Sequence, residues 1–177
     1  MPPMTARTDD VPPYRKSVGL CVLNPRGLVL MAERSDRAGA WQMPQGGLNI
    51  GEEPEVAVLR EMKEELGTNA ATIIGRVPEP LRYEFPDFIV AERAPFGGKY
   101  RGQEQTWFAV LFNGPDSDIR LINEHEPEHA EFTAWRWVPL AEVPDLTAPF
   151  RRPIYARVTA FFAPLASSLA QTAGHCA

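Results

Sequence analysis

Residues 46–68 read GGLNIGEEPEVAVLREMKEELGT, a glycine-rich turn running into a helix-forming stretch with six acids against two bases. Glu61, Glu64 and Glu65 stand at i, i+3 and i+4, a spacing that gathers them on one helical face. At about 100° per residue, Val56, Leu59, Met62 and Leu66 form a stripe on roughly the opposite side. One face is therefore expected in a core while the other holds clustered carboxylates. Pro54 suits a first helical turn and Gly67 a C-terminal cap. Like charges three and four apart cost a helix roughly 0.2–0.5 kcal/mol per pair, and Arg60 and Lys63 offset only part of that. A packed helix that keeps such a cluster points to a hard divalent cation.

Around this stretch, 177 residues with 44% hydrophobic and 23% charged content fit one globular domain with a sizeable core. No run approaches a membrane span, and the N-terminus lacks the basic-then-apolar pattern of a secretory signal, so a cytoplasmic location is expected. Cys21 and Cys176 are far apart in sequence and give no support to a disulfide framework or structural zinc. A net charge of −5 argues against broad binding to an extended duplex. It leaves room for a phosphorylated substrate met by local basic side chains and metal.

The proline-rich residues 1–13 read as a flexible N-terminal arm, residues 14–165 as the folded domain and residues 166–177 as a fraying C-terminal tail. SVGLCVLN, the turn at Asn24–Gly27 and LVLMAER form a predicted β-hairpin, with Arg34 and Arg37 at its exit. Arginines there are as often solvated loop charge as phosphate contacts. In WQMPQGG, Pro44 limits the entry geometry and the glycines permit close approach of backbone amides and carbonyls to phosphate or metal. AATIIGRV, LRYEF, EQTWFAVLF and EFTAWRWV read as strands, residues 86–102 as irregular, and residues 119–122 as a short strand. A final helix over residues 149–165 is expected to pack through Ile154, Val158 and Phe161. Strands on both sides of a central helix, then a terminal helix, suggest an α/β mixed sheet between helices.

Gly46, five residues, Glu52, seven residues and then REMKEELGT resembles the Nudix hydrolase signature at every fixed Gly, Glu and Arg position. Thr68 departs where an aliphatic residue is usual, which touches packing and no charged role. Tyr14-Arg15, WQMPQGG, GGKYRGQ, AWRWVPL and PFRRP resemble the bacterial RNA pyrophosphohydrolase and diadenosine polyphosphate hydrolase branch.

The resemblance implies a Nudix fold, an α/β/α sandwich with a mixed β-sheet, and a site for Mg²⁺ with Mn²⁺ as substitute. It implies Glu61, Glu64, Glu65 and Glu131 as metal ligands and catalytic carboxylates, Glu64 being shared between metal and deprotonation of water. For Glu131 the bland reading is a surface acid ahead of a strand. The neighbouring Glu124, Glu128, His125 and His129 read more simply as solvated loop groups. Arg60 is expected to orient a box carboxylate, Glu52 to hold the loop through Arg60, and Gly46 to support the turn. On the substrate side the match implies Lys99 for phosphate, Tyr100 for the nucleotide, and Arg15, Arg34, Gln45, Gly47, Phe150 and Arg151 around the 5′ end. Arg151 stands where the branch commonly has lysine, which keeps the charge and changes the donor geometry. The implied reaction is hydrolysis of a 5′-polyphosphate, on an RNA 5′ end or a dinucleoside polyphosphate. A catalytically silent nucleotide-binding module is the alternative of a different class.

Overall fold

The computed structural model describes residues 12–93, 98–121 and 130–175. Eight strands form one mixed sheet: β1 (Tyr14–Leu23), β2 (Val29–Arg34), β3 (Trp41–Gln42), β4 (Gln45–Gly47), β5 (Ala71–Arg76), β6 (Leu81–Glu84), β7 (Gly102–Phe112) and β8 (Phe132–Val138). The order is β3-β2-β1-β7-β5, with β4 on β1, β6 on β7 and β8 on β2. β1 and β7 run parallel through the middle, from Tyr14 opposite Gly102 to Leu23 opposite Leu111. Their near-continuous apolar runs follow from burial on both faces. Val18, Leu20 and Val22 face helix α1 (Pro54–Leu66), while Cys21, Leu23 and Trp107 face helix α4 (Arg152–Gly174). The expected α/β/α arrangement is thereby observed.

α1 enters the sheet through Ala57, Val58, Met62 and Leu66. Each of the three larger side chains contributes about 1.5–3 kcal/mol by burial. The helix is rotated from the expected stripe: Val56 is 59% exposed and Leu59 only half-buried, whereas Glu61 and Glu65 are buried. The flank carrying those acids presses against β4, so two of the three carboxylates lie inside. The helix ends at Gly67, whose φ of 70° suits glycine and whose amide donates to the Lys63 carbonyl.

Three other expectations are corrected. Residues 86–102 are not wholly irregular, because α2 spans Asp87–Arg93 behind Pro86, with Asp87 in its first turn and Ile89 packed on the core. Residues 119–121 form no strand; Ile119 is buried and the Arg120 amide caps α1 by donating to the Leu66 carbonyl (2.8 Å). Ile122 lies outside the described residues, as do Glu124, His125, Glu128, His129, Cys176 and most of the N-terminal arm.

The terminal helix starts at Arg152, after a 3-10 turn at Pro149–Arg151, and continues to Gly174 rather than fraying after Leu165. It packs through Ile154, Tyr155, Val158 and Phe162, a spacing that leaves Phe161 48% exposed on the flank. Ala166 and Leu169 carry the apolar side beyond residue 165, which keeps the last turns docked. A short helix, α3 (Val143–Leu146), precedes the 3-10 turn. Among the described residues no helix is long and apolar enough to cross a membrane.

Candidate active site

The site begins with one guanidinium. Arg60 Nε donates to Glu52 Oε1 (2.7 Å), and Nη2 donates to Glu52 Oε2 and to the Gly47 carbonyl (both 2.8 Å). Nη1 donates to Glu61 Oε1 (2.8 Å) and Glu64 Oε2 (3.1 Å). A planar fork can hold several acceptors in fixed directions, so Arg60 locks the β4–α1 loop to the acidic face of α1. Glu52 also accepts the Asn49 amide (2.9 Å). The Arg60 bond first, and then that amide, hold the Glu52 carboxyl down at about 2.

Gly46 leaves the space in which Glu61 lies: a Cβ there would stand 1.7 Å from the Glu61 carboxyl carbon and 2.0 Å from both oxygens. The neighbouring Gln45 amide donates to Glu65 Oε2 (3.2 Å), while Glu65 Oε1 is buried with no hydrogen-bond partner among the described residues. Glu131 arrives just ahead of β8, its carbonyl accepting the Ser35 amide (2.9 Å). Glu61, Glu64, Glu65 and Glu131, with Leu121, line one cavity of about 100 Å³. Burial raises the Glu61 carboxyl, against the pull of Arg60. Burial first, and then the Glu131 charge, raise Glu65 well above the usual carboxylate range.

Among the described residues, no group of three such side chains is already gathered as a cation cage. Glu61 and Glu64 turn an oxygen to Arg60 instead, and Glu131 one to Arg34. The residues nonetheless fit a hard divalent cation: the donors are carboxylates, Glu65 Oε1 is unpartnered, and Gly46 spares room beside Glu61.

A second cavity of about 220 Å³ has arginine and aromatic walls, including Arg34, Arg37, Trp41, Ile89, Phe150 and Arg151. Phe150 packs on Tyr83 (5.9 Å between ring centroids) and on Phe88 of α2 (6.3 Å). The Arg151 guanidinium lies 5.3 Å from the Phe150 centroid and Nη1 donates to Gln42 Oε1. Arg34 joins the two cavities. It lines the second, and its Nη1 donates to Glu131 Oε1 of the first (3.0 Å).

The family model of the NUDIX domain matches residues 13–158. The chain belongs to the Nudix family. Its curated relatives include the RNA pyrophosphohydrolase of Acidiphilium cryptum, 46% identical over 160 residues that cover 88% of this chain and 94% of the relative. That of Gluconacetobacter diazotrophicus is 43% identical over 159 residues, covering 85% and 92%. Among solved structures, the E. coli dihydroneopterin triphosphate pyrophosphohydrolase superposes with a TM-score of 0.61 at 21% identity, covering 82% of this chain and 96% of that one. That last likeness is one of fold.

Within this Nudix domain the other expected substrate residues are spread out. Arg15 crosses above Gly47, where a Cβ would meet its Nη2 at 2.4 Å. Gln45 is turned into the sheet, its Oε1 accepting from Gln105 Nε2 (2.6 Å) in a buried group with Gln103 and Ser17. Lys99 and Tyr100 are exposed ahead of β7 and line neither cavity. Sequence reasoning gave no role to Asp36, Ile89, Phe88 or Gln42. The Arg-x-Asp spacing at residues 34–36 was a usable signal for Asp36. Phe88 and Ile89 could be placed only once α2 was seen to fold.

Proposed function

We propose that this Nudix-family hydrolase is a Mg²⁺-dependent RNA pyrophosphohydrolase. Water is added across the anhydride of a 5′-triphosphate, giving pyrophosphate and a 5′-monophosphate RNA. The observation that carries the reading is the shared wall: a four-carboxylate cavity adjoins an arginine- and aromatic-lined cavity through the Arg34–Glu131 bond. The first suits a cation and the anhydride, the second a nucleotide and its phosphate. The relatives described above support RNA as the substrate.

Glu61, Glu65 and Glu131 would hold the cation through their cavity-facing oxygens. When bound, it supplies positive charge to the phosphoryl oxygens and acidifies coordinated water. Glu64 is the most exposed of the three helical acids, and Arg60 engages only its Oε2. Its Oε1 is left to take the proton from the attacking water. Arg34 at the shared wall, with Arg37 and Arg151 in the second cavity, balances the phosphate charge.

The test compares kcat/KM on a short 5′-triphosphorylated RNA and on diadenosine tetraphosphate, each with Mg²⁺ and with product identification. The expected outcome is more efficient release of pyrophosphate from RNA. Greater efficiency on the dinucleotide, yielding ATP and AMP, would replace this reading with dinucleoside polyphosphate clearance.

A further inference from the structure

Arg34 engages two carboxylates at once, through all three of its nitrogens. Nε and Nη2 donate side-on to the two oxygens of Asp36 (2.7 and 2.8 Å), leaving Nη1 for Glu131 Oε1 (3.0 Å). All three groups share one mount. The β2–β8 register shifts between Glu33 and Arg34, so that Arg34 pairs with Phe132. The Ser35 amide then donates to the Glu131 carbonyl (2.9 Å) and the Arg34 amide to the Ala40 carbonyl (3.0 Å). The turn that presents Asp36 therefore also pins the backbone of Glu131. An exposed acid on the wall of a cavity meant for phosphate would oppose its ligand, unless its charge has another use.

We infer that Asp36 is a positioning residue: its two-point grip holds the Arg34 guanidinium at the wall between the cavities and limits its claim on Glu131 to a single hydrogen bond. A guanidinium has two edges for a bidentate carboxylate pair; Asp36 takes the Nε/Nη2 edge, and its hold fixes the direction of the other edge so that Glu131 meets Nη1 alone. Without that hold the guanidinium is free to turn and close a two-point contact on Glu131, tying up an oxygen that the cation needs. Asp36 thus acts on the carboxylate cavity through Arg34, without lining that cavity. The inference depends on the cation reading above.

The test is Mn²⁺ affinity by electron paramagnetic resonance, without substrate and at physiological ionic strength, where bare long-range charge effects are screened beyond about 8 Å. It uses the full chain, Asp36→Asn, Arg34→Ala and the double variant, with melting temperatures as a check on folding. Asp36→Asn is expected to weaken Mn²⁺ binding about five-fold where Arg34 is present, and by less than half that factor in the Arg34→Ala background. Asp36→Glu, which can restore a two-point contact, is expected to recover most of the loss. Equal effects in both backgrounds, or no loss with Asp36→Asn, would overturn the role of Asp36 alone. Failure of the unsubstituted chain to bind Mn²⁺ would overturn the cation reading and this inference together.

Discussion

The two cavities are built in opposite ways. The carboxylate cavity takes three of its four acids from a single turn and a half of α1; one arginine fixes Glu61 and Glu64 to the loop immediately before the helix, and the Gln45 amide holds Glu65. The arginine and aromatic cavity draws on the hairpin exit, β3, α2 and the 3-10 turn ahead of α4, segments more than a hundred residues apart in the chain. The first is a local device whose geometry travels with one helix. The second exists only when the hairpin exit, α2 and the turn ahead of α4 have come together on the α4 side of the sheet. On the proposed function, chemistry that tolerates little displacement falls to the first, and recognition to the second.

The difference predicts a graded response to substitution. Glu64→Gln should lower kcat by about 10²–10⁴-fold and leave stability within about 0.5 kcal/mol, measured by pyrophosphate release and thermal melting. Unchanged turnover would remove Glu64 from the chemistry.

Gly46→Ala places a methyl where the Glu61 carboxyl lies, so the carboxyl must move. A displacement on the order of 1 Å is expected to lower kcat/KM by about 10²-fold, accompanied by weaker Mn²⁺ binding. A near-normal kcat/KM would show that the carboxylate cavity is more pliant than its packing implies.

Phe150→Ala addresses the other cavity. Loss of a stacking surface should raise KM about ten-fold with kcat largely retained. An equal fall in kcat would mean that the two cavities do not divide the work.

The smallest effect is one of stability. Burial and the Glu131 charge raise the Glu65 carboxyl, so the folded, cation-free chain binds that proton more tightly than the unfolded chain does. The stability from this group is fully present below the ordinary glutamate range and is lost as pH rises through the elevated value. In chelator, Glu65→Gln should therefore melt above the unsubstituted chain at pH 8, with the gap closing as pH falls toward 5. Added Mn²⁺ should raise the melting temperature of the unsubstituted chain alone. A pH-independent gap would contradict the buried, proton-holding state of Glu65.

The same contrast governs what the sequence made legible. Glu52, Arg60 and the three helical glutamates could be placed because their geometry follows from helix spacing and one short loop, and the structure brings them together as that spacing implies. The side that α1 buries was less legible. Helical projection places apolar against acidic residues, but it cannot show that Gly46 opens space for Glu61 on the buried flank. α4 overran its expected end because Ala166 and Leu169 continue an apolar edge whose value depends on the sheet beneath. Phe161 and Phe162 are adjacent, and only the docked helix decides which enters the core. Phe88 is illegible for the same reason, since its partner Phe150 is brought to it by tertiary structure; the Asp36–Arg34 contact is local, and only the further bond from Arg34 to Glu131 needs the assembled sheet.

The most direct test of the central claim is to crystallise the chain with Mn²⁺ and locate the metal by anomalous scattering. The expected result is density in the α1 cavity within coordination distance of Glu61 and Glu65, with Glu131 drawn in and its bond to Arg34 lengthened. Saturating Mn²⁺ with no density between those carboxylates, or density elsewhere alone, would contradict the claim that this helix is built to hold the cation.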